Sequence, residues 1–286
     1  MTVSAEPAAG SAASSFGSIL REWRRARGAS QLELSLLCGL SQKHLSFLES
    51  GRSRPSRGMV LQLASALGMP LRQQNAMLLA AGFAPMYKER SLQSQEMRPI
   101  ERAFSLVLAQ QEPFPAIVVD RAYNVLRAND GMSALLAFLT GGVGMPGDQP
   151  LNGVELTLRP DGLRPWIENW EEVATWLLRR LRAEALIEGT GRQSHLEMLN
   201  RLRTLPGVRE LEHSTQHDQD LPPTLILRFV KQQTRLSLFS VIASLGTPLD
   251  VSLQGVHVEL FFAADEATEA WFKSGAQIVR ASGNNI

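Results

Sequence analysis

Short apolar stripes at helical spacing run through the first third of the chain, and a glycine follows each of them. Phe16, Ile19, Leu20 and Trp23 recur every three or four residues and predict a helix that ends at Gly28. Four more helices are predicted by the same criterion up to about residue 83, three of them with a serine placed to cap their free backbone N–H groups. Five short helices joined by tight turns predict an all-α domain.

The hydrophobic pattern changes in the rest of the chain, where helical stretches adjoin runs in which every second residue is apolar. AIVVD and NVLRAN, at 116–120 and 124–129, predict two strands joined by a tight turn. TLILRFV, RLSLFSVIASL and VSLQGVHVELFF predict three more strands, the last with a bulge near Gly255. Residues 166–187 and 193–205 predict helices. This order predicts an α+β domain with an antiparallel sheet and helices packed on one face.

These patterns divide the chain into five segments. Residues 1–15, rich in Ala, Ser and Gly, predict a disordered tail. Residues 16–84 form the predicted helical domain, and 85–98 a linker. Residues 99–273 form the α+β domain, and 274–286 a frayed C-terminal tail.

Charge is distributed unevenly between the two predicted domains. Residues 1–98 carry 12 Lys and Arg against 6 Asp and Glu, whereas residues 99–286 carry 17 against 22. A basic domain is typical of one that meets a polyanion. The single cysteine, Cys38, excludes an intrachain disulfide framework and indicates a cytoplasmic protein. No apolar run reaches the ~18–20 residues that span a bilayer, so no membrane partner is predicted.

The second and third predicted helices have the lengths and the turn of a helix-turn-helix. SQLELSLLCGLSQKHLSFLESG, residues 30–51, supplies a helix, a glycine turn and a second helix capped by Ser41. In such a pair the second helix lies in the DNA major groove with its N-terminal side chains toward the bases. The apolar residues predicted to pack between the two helices are Leu34, Leu37, Leu40, Leu45 and Leu48.

That packing leaves polar side chains of the second helix facing outward, namely Gln42, Lys43 and Ser46. Phe47 has two alternatives, packing inside or contacting a thymine methyl group. Gln31 begins the first helix of the pair, where its side chain and the free N–H groups can hold a phosphate.

Residues 16–83 resemble the XRE-type (lambda-repressor-like) helix-turn-helix domains, on the motifs LREWRRARGASQLELS, LSQKHLSFLESGRSRPS and LQLASALGMP. The resemblance implies that Arg24 pairs with Glu49, that Gln31 binds a phosphate and that Gln42 and Lys43 contact bases. Double-stranded DNA is therefore the predicted partner of this domain. The residues predicted to contact DNA are Gln31, Ser41, Gln42, Lys43, His44, Ser46, Arg52 and Arg54.

No side-chain pattern in the second domain predicts catalysis, and we expect a protein that is not an enzyme. The glycines of TGGVGMPGD lack the Lys-Ser/Thr of a P-loop, and no serine lies in a G-x-S-x-G motif. His213 and His217 have a spacing that can ligate a metal on a helix, but Pro222, Pro223 and the polar composition favour a solvated loop. We therefore predict no metal and no cofactor.

The segments PAIVVDRAYNVLRAND and WIENWEEVATWLLRRLRAE, followed by terminal strands, resemble the MmyB-like transcription regulators. The resemblance implies a PAS-like C-terminal domain that binds an apolar small molecule such as a fatty acid, although the family's Trp/His-containing segment is not evident beyond about residue 200. The residues predicted to contact an acyl chain are Phe114, Val118, Leu135, Phe138, Trp170, Leu177, Leu227 and Phe229. Arg228 or Arg235 is the predicted partner of a carboxylate.

Two functions are consistent with these observations. The first is a one-component transcription regulator that binds DNA as a homodimer and a lipid-like effector in its C-terminal domain. In the alternative, the C-terminal domain is a dimerisation or protein-interaction module whose apolar residues fill an ordinary core.

Overall fold

The computed structural model describes residues 15–91, 94–142, 151–187, 193–213, 224–246 and 250–283. Its described residues form two compact units, one up to Lys88 and the other from Glu89 onward. Each unit has its own hydrophobic core. Within the described ranges, no helix is both long and apolar enough to cross a membrane.

The N-terminal unit consists of five helices, as the sequence predicts. They are α1 (Phe16–Ala26), α2 (Gln31–Leu37), α3 (Gln42–Glu49), α4 (Arg57–Ala66) and α5 (Leu71–Ala80). The first four each begin at a serine whose hydroxyl accepts a hydrogen bond from the backbone N–H three residues on. Between α2 and α3 the chain turns at Gly39, whose φ of 60° is a left-handed conformation that favours glycine.

The predicted packing between α2 and α3 is wrong at one residue. Leu34, Leu45 and Leu48 are buried, but Leu37 is 71% exposed. Cys38 is buried in its place. The buried side of this segment is formed by residues 34, 35 and 38, and Leu37 points away from that side of the helix.

The second unit contains seven helices and five strands in its described residues, and it confirms the predicted α+β fold. The helices are α6 (Arg98–Gln110), α7 (Asp130–Thr140), α8 (Gly153–Leu158), α9 (Trp170–Ile187), α10 (Gln193–Leu202), α11 (Val208–His213) and α12 (Glu266–Gly283). The strands are β1 (Ala116–Val119), β2 (Val125–Ala128), β3 (Ile226–Lys231), β4 (Thr234–Ser244) and β5 (His257–Ala263). They form one antiparallel sheet in the order β2-β1-β5-β4-β3.

Helices cover both faces of this sheet, which corrects the prediction that they pack on one face. Phe104 and Leu108 of α6 pack against Val118 of β1 and Val258 of β5. On the opposite face, Ile117 of β1 packs with Met132 of α7, and Phe229 of β3 and Leu238 of β4 belong to the larger core. The two faces arise because successive side chains of a strand point in opposite directions.

Several predicted boundaries are also corrected. The long helix begins at Trp170, because residues 164–166, which include Pro165, form a separate 3₁₀ turn. Residues 251–255 form turns rather than a bulged strand. The Asp250 carboxylate holds these turns by accepting the Ser252 backbone N–H at 3.0 Å and pairing with Arg90 at 2.7 Å. Arg90, predicted to lie in a linker, is thus part of the second unit.

The predicted C-terminal tail at 274–286 is helical as far as Gly283. Asp265 stabilises the start of α12 by accepting the Thr268 backbone N–H at 2.8 Å, and Phe272 is buried in the core. Sequence reasoning missed α12, together with the short helices α8 and α11.

Replacing Gly17 by alanine tests the contact between α1 and α3. A Cβ atom at Gly17 lies 2.6 Å from the Glu49 carbonyl oxygen, which is backbone and cannot move aside. We expect Gly17→Ala to lower the free energy of unfolding of this unit by about 1–3 kcal/mol, measured by hydrogen exchange of the α1 amides. Gly58→Ala is the matched control, because nothing lies within 4 Å of that position on α4. Equal protection of α1 in both variants would contradict the close contact.

Candidate DNA-binding surface and ligand cavity

Three helices of the N-terminal unit meet at the buried carboxylate of Glu49, the last residue of α3. Arg24 of α1 binds it through two hydrogen bonds, Nε to Oε1 at 2.6 Å and Nη2 to Oε2 at 3.0 Å. Gln31, the first residue of α2, donates Nε2–H to Oε2 at 2.9 Å. Arg21 donates to the Glu49 backbone carbonyl at 2.9 Å. The orientation of α3 is therefore set by the side chains of α1 and α2.

This carboxylate is ionised despite its burial. Burial alone would raise the pKa of Glu49, but hydrogen bonds from Arg24 and Gln31 and the charges of Arg24 and Arg21 hold it below the ordinary value of 4.5. The network therefore persists at neutral pH.

The first turn of α3 presents the predicted DNA-contacting residues at the surface. Ser41, Gln42 and Lys43 are exposed, and His44 and Ser46 are half-buried. The Ser41 hydroxyl accepts the His44 backbone N–H at 3.1 Å, so it also caps the helix.

Phe47 is half-buried between two cations, so it is not packed fully inside, and its contact with a thymine methyl group stays a prediction. Lys43 Nζ lies 5.7 Å from the centre of its ring, and the Arg52 guanidinium carbon lies 5.8 Å away. These are cation–π distances. The ring thus orders Lys43 and Arg52 on the surface of α3.

The remaining predicted DNA contacts flank α3. Arg52 and Arg54 are exposed in the turn after the helix. Gln31 is half-buried, and its amide nitrogen already donates to Glu49, which leaves one amide hydrogen and the carbonyl oxygen for another partner.

A mainly apolar cavity lies in the second unit between the sheet and helices α7, α8 and α9. Its volume is about 120 Å³. The sheet contributes Ile117, Val119, Leu227, Phe229, Leu238 and Phe261, and the helices contribute Met132, Leu135, Val154, Val173 and Leu177.

Four of the eight residues predicted to contact an acyl chain line this cavity: Leu135, Leu177, Leu227 and Phe229. Val118 does not, because it points to the α6 face of the sheet. The other three pack elsewhere in the core. Phe114 packs on Phe272 and Phe138 packs on Trp271, with ring centres 5.7 Å and 5.0 Å apart. The ring centre of Trp170 lies 3.6 Å from the guanidinium carbon of Arg164.

Neither arginine predicted to bind a carboxylate lines the cavity. Leu227 and Phe229 point inward, so Arg228 between them points outward, where it pairs with Glu172 at 3.4 Å. Arg235 is exposed and lies 3.3 Å from Glu168. Both are paired at the surface with carboxylates that precede or begin α9.

The cation of the described cavity lining is Arg180, which sequence reasoning missed. Its position carried a signal, since Val173, Leu177, Arg180 and Glu184 follow one face of α9 at helical spacing. Two charged residues that continue an apolar stripe indicate a polar site inside the fold.

Arg180 is held in place by Glu184 and two aromatic rings. Its Nε–H donates to Glu184 Oε1 at 3.0 Å, and its guanidinium carbon lies 5.1 Å from the ring centre of Tyr123 and 5.8 Å from that of Trp176. The Tyr123 hydroxyl donates to Glu184 Oε2 at 2.7 Å, and His195 Nε2 lies 3.5 Å from the same oxygen.

Glu184 is strongly acidic in this setting. Burial would raise its pKa, but hydrogen bonds from His195, Tyr123 and Arg180 lower the pKa to about 2. Burial raises the pKa of Tyr123, which keeps its hydroxyl protonated as a donor. The cluster therefore holds one ionised carboxylate beside one guanidinium at neutral pH.

Comparison with known families gives two matches. Residues 100–274 match the model described as MmyB-like transcription regulator ligand binding domain, and residues 20–74 match a helix-turn-helix model. The first match spans more than half of the chain. The chain belongs to the MmyB-like transcription regulators. No curated protein matches it at a significant level.

Both resemblances stated from the sequence are thereby confirmed. The MmyB-like regulator carries a DNA-binding domain of the helix-turn-helix type and a domain for a small-molecule ligand. Both matched models describe regulatory domains rather than enzymes. Among the described residues no cluster of His, Cys, Asp and Glu is placed to hold a metal ion. The side chain of His213 and all of His217 lie outside the described part.

Acid titration of stability tests the Glu184 cluster. Because the pKa of Glu184 is lowered from 4.5 to about 2, its contribution to stability is complete above about pH 5 and disappears as the pH falls toward 2. We expect Glu184→Gln to be less stable than the wild type at pH 7 and to lose less stability on acidification, as measured by hydrogen exchange in α9. Glu171→Gln, an exposed position on the same helix, should leave the pH profile unchanged. Parallel profiles for wild type and Glu184→Gln would refute the assignment.

Proposed function

We propose that this protein is a one-component transcription regulator whose cavity binds a fatty acid that controls its attachment to DNA. The observation that carries the proposal is a mainly apolar cavity with one arginine, Arg180, in its described lining. An apolar cavity with few polar groups suits a ligand that is mostly hydrocarbon. A guanidinium in such a cavity suits a carboxylate.

The acyl chain would contact Leu135, Leu177, Leu227 and Phe229, which line the cavity. Its carboxylate would accept from the terminal nitrogens of Arg180, since Glu184 engages only the Nε–H in the described structure. Burial of the hydrocarbon supplies the affinity, at about 25 cal/mol per Å². The guanidinium sets the orientation.

In the DNA-binding domain, α3 would enter the major groove with Gln42 and Lys43 at the base edges. Arg52 and Arg54 would contact phosphates that flank the groove. The net positive charge of this third of the chain favours a polyanion as its partner. We infer a homodimer on two related half-sites, because one short recognition helix contacts few base pairs.

Regulation requires that the ligand favour one of at least two states of the protein. The ligand then shifts DNA affinity by the ratio of its own affinities for those states.

Matched arginine variants test the ligand site. Organic extraction of the purified protein followed by mass spectrometry should yield a fatty acid, and added dodecanoic acid should raise the melting temperature. We expect Arg180→Gln to weaken dodecanoic acid binding by roughly tenfold or more, since it removes a charge-assisted hydrogen bond. Arg228→Gln, the same change outside the cavity, should bind normally. If no acid is recovered and none shifts the melting temperature, the C-terminal domain is the ligand-free module instead.

Alanine substitutions separate base contacts from phosphate contacts. On an operator selected from a random duplex library, Gln42→Ala and Lys43→Ala should each cost about 1–3 kcal/mol and relax the sequence preference. Arg54→Ala should weaken binding to every duplex alike. It should also reduce by about one the slope of log affinity against log salt concentration, because one phosphate contact is lost. Arg127→Ala, an exposed arginine of the other unit, serves as the charge control. If all three N-terminal variants bind the operator like the wild type, α3 is not the recognition helix.

A further inference from the structure

The cavity contains a second polar feature, on its sheet wall. Ser240 of β4 and Glu259 of β5 both line the cavity, and the Ser240 hydroxyl donates to Glu259 Oε1 at 2.7 Å. The two residues lie on neighbouring strands and on the same face of the sheet as Leu238 and Phe261. An acidic side chain thus faces a cavity whose other lining is mostly apolar.

Glu259 can accept a further hydrogen bond from the contents of the cavity. An ionised carboxylate only accepts hydrogen bonds, and the one hydrogen of the Ser240 hydroxyl is already directed to Oε1. Glu259 Oε2 has no hydrogen-bond donor among the described residues, and Glu259 is half-buried. Oε2 is not fully buried, so it is open to a donor in the cavity, and a ligand that covers it without supplying a donor leaves an acceptor unpaired at a cost in free energy.

A simple fatty acid does not supply that donor. Its carboxylate has acceptors alone, and those are matched by Arg180. A second anion in the cavity is also repelled by Glu259, whose charge acts on Arg180 as well. A head group that carries a donor as well as a carboxylate would satisfy both Arg180 and Glu259.

We propose that the preferred ligand is a hydroxylated fatty acid, whose carboxylate is held by Arg180 and whose hydroxyl group, near the head, donates to Glu259. This inference rests on the proposed fatty-acid site and adds the chemistry of the head group. Glu259 is then the residue that sets ligand specificity. An unsubstituted chain would remove water from the Glu259 carboxylate and give it no hydrogen bond in return, whereas the hydroxyl group of the ligand would donate one.

The test compares dodecanoic acid with 3-hydroxydodecanoic acid by isothermal titration calorimetry on the full chain. The wild type should bind the hydroxy acid about tenfold more tightly, the difference expected for one hydrogen bond to a charged group. Glu259→Met keeps similar bulk and removes the acceptor and the charge. This variant should bind the hydroxy acid more weakly than the wild type does, and the simple acid more tightly.

These opposite shifts separate specificity from a general defect, since a damaged fold would weaken both acids. Glu172→Met, at a glutamate outside the cavity, should leave both dissociation constants unchanged. Equal affinity of the wild type for the two acids would overturn the hydroxyl inference and leave the fatty-acid site standing. A preference that survives Glu259→Met would overturn it too. Failure of both acids to bind would overturn this inference together with the proposed function.

Discussion

A carboxylate that is partly removed from water must be matched by donors from the elements around it, and the half-buried Glu184 imposes this constraint on the ligand-binding domain. Its donors come from the β1–β2 turn, from α9 and from α10, so one side chain joins three parts of the fold. Tyr123 donates its hydroxyl hydrogen to this carboxylate. Its backbone φ of 62° is a left-handed conformation that costs a non-glycine residue free energy. That cost is offset because the buried ring and hydroxyl complete the cluster. Arg180 is thereby fixed beside the cavity.

The DNA-binding domain is built on the same principle at Glu49. Arg24 and Gln31 converge on its carboxylate, and the backbone of α1 approaches the end of α3 so closely at Gly17 that no side chain fits. A recognition helix must hold its side chains in register with the bases. A charged network with several hydrogen bonds supplies this rigidity better than apolar contacts, which lack direction.

The alternation of the strands explains how one sheet serves two purposes. On one face β1 and β5 pack against α6 and form a closed core. The opposite face carries the cavity, its apolar residues and the Ser240–Glu259 pair. Residues next to each other in sequence, such as Val118 and Val119 or Leu227 and Arg228, therefore have unrelated environments.

The sequence by itself determined the helix-turn-helix, since its signals are local: serine caps, glycine turns and apolar residues three or four apart. It also determined the number of strands and the α+β class of the second domain, although not where the last strand begins. Only the tertiary structure decided which of these residues meet at the cavity, which excluded Val118 and Arg228 and included Arg180 and Glu259. The physical reason is that strand register and the rotation of α9 depend on packing between segments far apart in the chain.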